Sequence, residues 1–448
     1  MKKQLLYIFA SLLLIAFLPK DSLAQNPLIT NQFTADPSAR VFNGRVYVYP
    51  SHDIRAQPGK GKAGWFCMED YHVFSSANLS DWTDHGMIVS QTQVPWADPA
   101  AYSMWAPDCV FRNGKYYFYF PATVKGDGER KGFGIGVAIA DKPSGPFKPQ
   151  AEAIQGVHGI DPNVFMDKDG QAYLYWSQGN IYGAKLKDNM LELATEPKTL
   201  GELPDKGLKE GPYMFERKSV YYLTYPHVAG KTERLEYATS KSPLGPFTFK
   251  GVIMDESASG CWTNHHSIIN FKDQWYLFYH DKDLSPAFDK NRSIRADSLF
   301  FEEDGTIRKV TPTLRGVGLT SAVNNIQVDR YSAISKEGVK VDFIDTADKF
   351  KGWMVALERK GSWVRYNKVD FENVPAKKVS VRATSPEGAL LAIYSGGQGG
   401  KLITRIRLKA NKEWALTTHP VNNAVKGIHD LFIVLESETP VNIDWIKF

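Results

Sequence analysis

A pattern of a polar head, a short apolar run, a polar turn and an aromatic-rich run recurs five times along the chain. The five copies are Asp36–Tyr49, Pro107–Tyr119, Asp161–Tyr175, Glu210–Tyr225 and His265–Tyr279. Apolar and polar residues alternate in these runs, as they do in a strand with one buried face. Two of the turns are Asn43-Gly44 and Asn113-Gly114, and Asn-Gly is the pair that tight hairpin turns prefer. Each copy therefore predicts a β-hairpin.

The spacing of the hairpins predicts how they assemble. Their heads lie at residues 36, 108, 161, 210 and 265, so successive heads are 72, 53, 49 and 55 residues apart. A second hairpin pattern recurs in Val73–Trp82, Val137–Phe147 and Tyr237–Phe247. Four strands per repeat at about this interval are typical of a β-propeller. We predict a five-bladed β-propeller over residues 25–320, in which the extra length of the first blade, around Gln57–Gly64, forms a loop that rims a pocket.

The periodicity changes after Thr320. Short alternating runs such as Lys378–Ala383 and Leu402–Leu408 follow, separated by turn residues such as Ser395–Gly400. This pattern is typical of a small β-sandwich. We therefore predict a second, separate all-β domain over residues 328–448.

Residues 1–24 have the features of a signal peptide. Lys2 and Lys3 supply a positive start, Leu5–Leu18 is a 14-residue apolar stretch, and Ser22–Ala24 offers small residues for cleavage. The apolar stretch is shorter than the roughly 20 residues that span a bilayer. The sequence predicts a periplasmic or secreted protein with no integral membrane anchor.

Composition narrows the classes of partner. Hydrophobic residues make up 43% and charged residues 23% of the 448 residues, as in ordinary globular proteins. The net charge is +5, and Lys2, Lys3, Lys20 and Asp21 of the leader contribute +2 of it. No basic footprint for nucleic acid is expected on so neutral a chain. The chain has three cysteines, a small and odd number that does not support a disulfide framework. We expect a monomer.

The heads include three carboxylates at matching positions of blades one, three and four: Asp36, Asp161 and Glu210. A single Asp-Pro pair is a common turn, but the first strand of every propeller blade lines the central channel, so three acids in register should converge. Glycoside hydrolysis requires one protonated and one ionised carboxyl group, and crowding of like charges raises the pKa of one of them. A metal site is the competing interpretation, because hard cations also bind Asp and Glu oxygens.

Several motifs around these heads together resemble glycoside hydrolase family 43. They are Thr34–Pro37, Trp105–Asp108, Gly159–Phe165, Lys209–Pro212, Asn264–Ser267, Asn291–Ser293 and Asp304–Ile307. The resemblance implies a five-bladed propeller in which Asp36 is the general base, Glu210 is the general acid and Asp161 tunes their pKa values. It also implies inversion of the anomeric carbon, with the carboxyl groups of Asp36 and Glu210 about 6.5–9.5 Å apart.

The same resemblance suggests further site residues. His265 corresponds to a histidine that binds a calcium ion or water at the channel centre, although a hydrogen-bonding role is the alternative. Arg292 corresponds to an arginine that contacts the sugar at the reacting position, with a surface ion pair as its alternative. Trp105 is expected in the pocket wall or in a blade core. His52 ends the strand after Asp36 and is expected either at the rim of the pocket or in solvent.

The C-terminal region resembles a family 6 carbohydrate-binding module. The motifs are Gly361–Phe371, Lys426–Val434 and Asn442–Phe448. The resemblance implies sugar binding by Trp414, with Tyr366 and Asn442 as further candidates. The segment Ala410–Thr417 departs from the usual glycine-rich form, so the domain's alternative role is to brace the propeller.

These features lead to one main functional hypothesis and several alternatives. We expect an inverting exo-glycosidase that releases terminal or side-chain pentose, first α-L-arabinofuranose, from plant polysaccharide or oligosaccharide. A β-xylosidase or an exo-β-galactosidase of the same family is the alternative, and an endo-arabinanase is disfavoured because the first-blade loop would obstruct an open groove. A non-catalytic sugar-binding propeller is the rival from another class. Invertase-like enzymes are disfavoured because Thr34–Pro37 lacks their Asn-Asp-Pro motif.

Overall fold

The computed structural model describes residues 26–126, 132–201, 203–204, 206–314, 316–328, 331–347, 353–373 and 375–448. These residues form 31 β-strands and one short 3₁₀ turn at Gln91–Gln93, with no α-helix among them. The all-β prediction is confirmed. The described residues accordingly contain no helix able to cross a membrane, and the expected leader at residues 1–24 lies outside them.

Five antiparallel sheets follow one another along residues 33–299. Blade 1 contains β1 (Phe33–Phe42), β2 (Arg45–Asp53), β3 (Asp70–Ser76) and β4 (Thr83–Ser90). Blade 2 contains β5 (Asp108–Arg112), β6 (Lys115–Thr123), β7 (Phe133–Ala140) and β8 (Lys148–Pro149). Blade 3 contains β9 (Ile160–Met166), β10 (Ala172–Ser177), β11 (Ile181–Lys185) and β12 (Lys198–Thr199). Blade 4 contains β13 (Tyr213–Arg217), β14 (Val220–His227), β15 (Arg234–Ser240) and β16 (Thr248–Met254). Blade 5 contains β17 (Ser267–Phe271), β18 (Gln274–Asp281) and β19 (Ser293–Leu299).

The blades close into a ring. Within each sheet the strands pair in chain order, so the first strand of every blade lies at one edge of its sheet. These first strands contact one another in the cyclic order β1, β5, β9, β13, β17 and back to β1. The five-bladed propeller is therefore confirmed.

The ring is fastened where its two ends meet. The segment before β1 lies along β19, with the amide of Leu28 donating to the carbonyl of Ile294 at 2.9 Å. The amide of Thr34 donates to the carbonyl of Arg292, also at 2.9 Å. The described segment before β1 thus covers the outer side of the three-stranded fifth blade and protects an edge that would otherwise be open to pairing.

The predicted hairpins form because their turn residues suit the required backbone. Asn43 and Gly44 have φ values of 50° and 74°, and Asn113 and Gly114 have 50° and 78°. Positive φ at both central residues is the requirement of a type I′ turn, and Asn-Gly meets it at low cost. β1–β2 and β5–β6 are therefore joined as predicted.

Aromatic side chains fill the gaps between blades. Between blades 1 and 2, the buried rings of Tyr49, Tyr71, Phe118 and Phe147 belong to one cluster. Tyr71 and Phe118 pack edge to face with centroids 5.0 Å apart, a favourable geometry for two rings. The high aromatic content of the sequence thus serves mainly the blade interfaces.

A buried carboxylate holds three blades together. Asp108, at the head of blade 2, accepts hydrogen bonds from Nε of Arg40 in blade 1 at 2.9 Å and from Oγ of Ser38 at 2.6 Å. In blade 3, Nδ2 of Asn163 at 3.0 Å and the amide of Val164 at 2.7 Å donate to its other oxygen. The acid that heads blade 2 therefore has a structural role, because it joins three blades and does not line the pocket that contains Asp36, Asp161 and Glu210.

The C-terminal domain is a sandwich of two sheets around one apolar core. One sheet contains β20 (Thr320–Ser321), β25 (Trp363–Asp370), β30 (Ile428–Leu435), β27 (Ala389–Ser395) and β28 (Lys401–Leu408), with β22 (Ala333–Ile334) beside β25. The other contains β23 (Val339–Phe343), β24 (Trp353–Leu357), β31 (Val441–Lys447), β26 (Lys378–Ser385) and β29 (Asn411–Pro420), with β21 (Ile326–Gln327) beside β31. The sandwich therefore begins at Thr320 rather than at the predicted residue 328, because β20 and β21 pair into its sheets.

Removal of the Asp108 charge should destabilise the propeller strongly. Asp108→Asn leaves the guanidinium of Arg40 without its buried carboxylate, and loss of one partner from a buried ion pair costs about 3–5 kcal/mol. We expect the free energy of unfolding, measured by urea denaturation, to fall by that amount. Asp141→Asn is the matched control, because Asp141 pairs with Lys115 while 79% exposed. Equal losses in the two variants would contradict the structural role of Asp108.

Candidate active site

The three carboxylates at the blade heads meet in one pocket at the mouth of the channel. The pocket is a cavity of about 230 Å³. Its lining residues are Asp36, Trp65, Phe66, Met68, Trp105, Ala106, Ile160, Asp161, Glu210, Glu233, Trp262, Thr263, His265 and Arg292. The structure thus brings together six residues that the sequence singled out: Asp36, Trp105, Asp161, Glu210, His265 and Arg292.

Asp36 and Asp161 reach the channel through the same local device. Each lies in a register shift of its hairpin, where three steps along the inner strand oppose two along its partner. Each also adopts a left-handed backbone, with φ of 47° and 57°, which Asp tolerates better than most residues. Such a bulge redirects one side chain out of the strand's alternation, and here it directs both carboxylates into the pocket.

Asp36 is held as an ionised carboxylate. Its Oδ2 accepts from Oγ of Ser51 at 2.6 Å, and its Oδ1 accepts from Nη1 of Arg292 at 2.8 Å. Burial alone would raise the pKa, but the attraction of Arg292, helped by His280, His265 and the Ser51 hydrogen bond, lowers the pKa of Asp36 to about 2. Asp36 is therefore negative throughout the neutral range.

The N–H groups of the Arg292 guanidinium donate hydrogen bonds to neighbouring protein side chains. Nε and Nη2 donate to the two oxygens of Asp53 at 2.9 Å each, and Nη1 and Nη2 donate to Asp36 at 2.8 and 3.2 Å. Nη1 also reaches Oγ1 of Thr263 at 3.3 Å. These five contacts match the five N–H groups of a guanidinium. Arg292 is buried, so the alternative of a surface ion pair is wrong, and a hydrogen bond from it to a sugar stays a prediction.

Asp53 is a site residue that the sequence reasoning missed. Its side chain is fully buried and forms a two-pronged ion pair with Arg292. The signal was strand alternation: Ser51 and Asp53 share one side of β2, and Ser51 contacts Asp36. The alternating residue His52 faces the other way, where its Nδ1 lies 2.6 Å from Oδ1 of Asp70. His52 is absent from the pocket lining, so its expected position at the rim, where it would contact the sugar, is wrong, and the side chain faces away from the pocket.

The remaining acids of the pocket have raised pKa values. Burial, the charge of Glu210 and the charge of Asp36 raise the pKa of Asp161 well above its usual value, although the amide of Gly211 donates to it at 2.9 Å. Burial and the charge of Glu233, with a hydrogen bond between the two carboxyl groups, raise the pKa of Glu210 well above its usual value. The pocket therefore contains one acid with a lowered pKa and a group of acids with raised pKa values.

Glu233 is the second acid that the sequence reasoning missed. It is buried, and its Oε2 accepts from the amide of Asn264 at 2.6 Å. Its Oε1 is buried without a fixed N–H or O–H donor among the described residues, so a proton on Glu210 is the donor that satisfies it. Burial raises the pKa of Glu233 to about 7, while the Glu210 hydrogen bond and the Asn264 amide oppose that rise. The hydrogen bond between the two carboxyl groups thus raises the pKa of Glu210 and lowers that of Glu233.

Aromatic rings form the wall of the pocket. Trp105 lies there as predicted, with Phe66 and Trp262 beside it and Trp65 at the rim, 44% exposed. Trp65 and Phe66 directly follow the predicted first-blade loop. The guanidinium carbon of Arg292 lies 4.8 Å from the centroid of Phe66, so this ring covers the buried ion pairs. Flat aromatic faces suit the C–H groups of a sugar, which makes the wall a stacking surface.

The surroundings of His265 bear on its expected role as a calcium ligand. It lines the pocket, and burial lowers its pKa despite the charge of Asp36, so the ring is neutral at neutral pH. Calcium prefers six to eight oxygen ligands, whereas His265 offers one nitrogen. The nearby acids Asp36 and Asp108 are both bound to arginines. The described residues therefore do not form a calcium cage at His265.

The three candidate sugar-binding residues of the sandwich domain differ in their exposure to solvent. Tyr366 is fully buried in the core and donates to the carbonyl of Val328 at 2.6 Å, so its predicted role in sugar binding is wrong. Trp414 is partly exposed, with the guanidinium of Arg382 5.1 Å from its ring centroid. Asn442 is partly exposed and donates to Oγ1 of Thr384 at 3.2 Å. Only Trp414 and Asn442 remain available to a sugar.

Comparison with known proteins adds to this geometry. Residues 24–307 match the family described as Glycosyl hydrolases family 43, and residues 332–448 match Carbohydrate binding module (family 6). The chain is also similar to the xylosidase/arabinosidase 43A of Humicola insolens, at 38% identity over 63% of this chain and 98% of that protein. Both resemblances expected from the motifs are confirmed.

Solved structures give the same result. A family 43 β-xylosidase/α-arabinofuranosidase from a compost metagenome, solved with xylotriose in a calcium-free form, is similar with a TM-score of 0.58 and 37% identity over 64% of this chain and 97% of that chain. An arabinoxylan arabinofuranohydrolase of Bacillus subtilis, solved with cellotetraose, is similar with a TM-score of 0.55 and 26% identity over 94% of this chain and 97% of that chain. The second likeness extends across both domains.

Glu233 should control the proton on Glu210. Glu233→Gln removes a negative charge beside Glu210, so we expect the apparent pKa of the Glu210 carboxyl to fall. Carbon-13 NMR titration of the glutamate carboxyl groups would measure this apparent pKa. In the wild type the measured values belong to the coupled pair of Glu210 and Glu233. Glu256→Gln is the matched control, because Glu256 lies outside the pocket lining and contacts Thr232 at 3.1 Å. An unchanged Glu210 titration in Glu233→Gln would contradict the shared proton.

Proposed function

Because this chain belongs to glycosyl hydrolase family 43, an inverting family of glycosidases, we propose that it is an exported exo-glycosidase that releases terminal or side-chain pentoses. The substrates are plant polysaccharides or the oligosaccharides derived from them. α-L-Arabinofuranose is the first candidate sugar and β-D-xylose the second. The proposal depends on one observation: a small pocket brings together Asp36, whose pKa is lowered by Arg292, and Glu210, whose pKa is raised by burial and Glu233.

The reaction follows from these two opposite pKa shifts. Glu210 gives its proton to the leaving glycosidic oxygen, and a water molecule attacks the anomeric carbon from the opposite face of the sugar. The glycosidic C–O bond breaks as the new one forms, and Asp36 accepts the proton that the water loses. The anomeric configuration inverts because the attack is direct. Glu233 is the charged neighbour that most raises the pKa of Glu210, and the expected tuning role of Asp161 stays a prediction.

Arg292 makes Asp36 a weak base, since its pKa is about 2. This weakness is compatible with the reaction, because the transition state resembles an oxocarbenium ion and glycosidic bond cleavage leads water attack. The fixed negative charge of Asp36 also favours the positive charge that develops on the sugar. The water therefore needs orientation more than early deprotonation.

The shape of the pocket supports cleavage at a chain end or side chain. Trp65, Trp105 and Trp262 surround a cavity of about 230 Å³, which suits a terminal sugar better than a continuous polysaccharide. Relatives named for both xylosidase and arabinosidase activity support pentose as the sugar class. The likeness of both domains to an arabinoxylan arabinofuranohydrolase favours arabinofuranose. The sandwich would then hold the polymer near the pocket, with Trp414 as its stacking residue.

Location, oligomeric state and ion binding complete the proposal. The leader at residues 1–24 supports export to the periplasm or the medium, and we propose a monomer. A calcium ion at His265 would need water to complete its coordination, since the protein offers one nitrogen there. No step of the reaction passes through that ion.

Loss of either reacting carboxyl group should reduce turnover. We expect Asp36→Asn and Glu210→Gln each to lower kcat by at least about 10²-fold, the usual contribution of a general acid or base. Turnover on pentose-containing oligosaccharides would measure it. Asp304→Asn, at an acid outside the pocket lining, is the control and should keep wild-type activity. Wild-type turnover in either pocket variant would remove its assigned role.

The role of Glu210 as the acid gives a second, sharper expectation. A 4-nitrophenolate leaving group needs little protonation, so Glu210→Gln should lose much less activity on 4-nitrophenyl pentosides than on oligosaccharides. Asp36→Asn should lose activity equally on both, because the leaving group does not replace the base. A panel of 4-nitrophenyl arabinofuranoside, xyloside and galactoside, with the product anomer followed by proton NMR, would identify the sugar. A retained anomeric configuration would refute the role of Asp36 as base.

A further inference from the structure

Two histidines and two carboxylates of blade 1 meet on the side of the sheet that faces away from the pocket. β2 pairs with β3 so that Ser51 lies opposite Tyr71, which puts His52 opposite Asp70. His72 is two residues further along β3 and therefore shares that face. None of these side chains has a part in the proposed reaction.

The donor atoms of this cluster are close enough to share one ion. One ligand atom from each of His52, Asp70 and His72 can be chosen such that all lie within 4.8 Å of one another. The ligand atoms of a tetrahedral site with zinc bonds of about 2.0–2.2 Å lie about 3.3–3.6 Å apart, so side-chain rotations that bring the atoms about 1 Å closer would complete the site. The three side chains are 20%, 19% and 20% exposed, which leaves access for an ion and for water ligands.

A second layer of hydrogen bonds orients the cluster. Oδ1 of Asp84 lies 3.1 Å from Nδ1 of His72, and Nε2 of Gln32 donates to the other oxygen of Asp84 at 3.1 Å. A carboxylate on one ring nitrogen of a histidine is the usual support for a metal on its other nitrogen. The ring of His72 is thus held in a fixed orientation, as the ring of a metal-binding histidine usually is.

We propose that His52, Asp70 and His72 form a binding site for one divalent transition-metal cation, separate from the catalytic pocket. Two imidazole nitrogens and one carboxylate oxygen suit Zn²⁺, Ni²⁺ or Cu²⁺, whereas Ca²⁺ and Mg²⁺ prefer all-oxygen ligands. The ion joins the end of β2 to the start of β3. Ser51 and Asp53, on either side of His52, hold Asp36 and Arg292, so the site fastens the strand on which the charge network of the pocket depends.

Calorimetric titration tests the proposal directly. ZnCl₂ is added to the untagged, EDTA-treated full chain at pH 7, and we expect one saturable site. His52→Asn and His72→Asn should weaken zinc binding by at least about 100-fold, and Asp84→Asn by about 10–100-fold, as for a supporting residue. His85→Asn is the matched control in the same blade, because His85 bonds to Oγ of Ser75 at 2.8 Å and lies outside the cluster. It should bind zinc as the wild type does.

A second measurement keeps the test independent of how the variants fold. Anomalous diffraction at the zinc edge from wild-type crystals should place the ion between His52, Asp70 and His72. Co²⁺ in place of Zn²⁺ should give visible absorption bands that His72→Asn lacks. Absence of saturable binding, unchanged binding in both histidine variants, or a zinc peak only elsewhere would overturn the site and leave two histidine–carboxylate hydrogen bonds. These outcomes do not depend on the proposed glycosidase activity.

Discussion

The buried ion pairs of Arg292 are the interaction on which the rest of the structure depends. Arg292 belongs to the last blade, and both of its carboxylate partners, Asp36 and Asp53, belong to the first. Its carbonyl also accepts from the amide of Thr34. A charge removed from water must be paired to be tolerated, and the same ion pairs both line the pocket and join the last blade to the first. The same contacts then lower the pKa of Asp36.

The electrostatic asymmetry of the pocket follows from where that single guanidinium lies. Asp36 has Arg292 and is ionised, whereas Asp161, Glu210 and Glu233 have mainly one another and burial, which raise their pKa values. Carboxyl groups with a lowered and with raised pKa values therefore lie in one pocket without needing different residue types. Glu233 contributes most to the acid among its charged neighbours, a role that the sequence reasoning had given to Asp161. Glu233 and Asp161 both disfavour the ionised form of Glu210, because each carboxylate would repel its negative charge.

The sequence predicted what repeats and missed what does not. The five hairpins and their acidic heads could be found because propeller blades recur at a fixed interval and Asn-Gly dictates its turn. Glu233, Trp65 and Trp262 lie on single connections between strands, where no repeat marks them. Two errors came from incomplete use of strand alternation. His52 points away from its neighbours' side, and Tyr366 shares the inward face of β25 with Val364.

The head of blade 4 explains why its acid is a glutamate. Asp36 and Asp161 lie inside bulged strands, but Glu210 lies before β13, on a connection beside the carbonyl of Pro226. Gly211, at φ of 53°, follows it, and a Cβ there would lie 2.9 Å from Pro226 and 3.0 Å from Nδ1 of His265. Only glycine fits this approach, which in turn lets its amide donate to Asp161. The backbone amide of Gly211 thus hydrogen-bonds to Asp161. Glu210, the residue before it, lies outside the strand, and its longer side chain lets it reach the pocket from there.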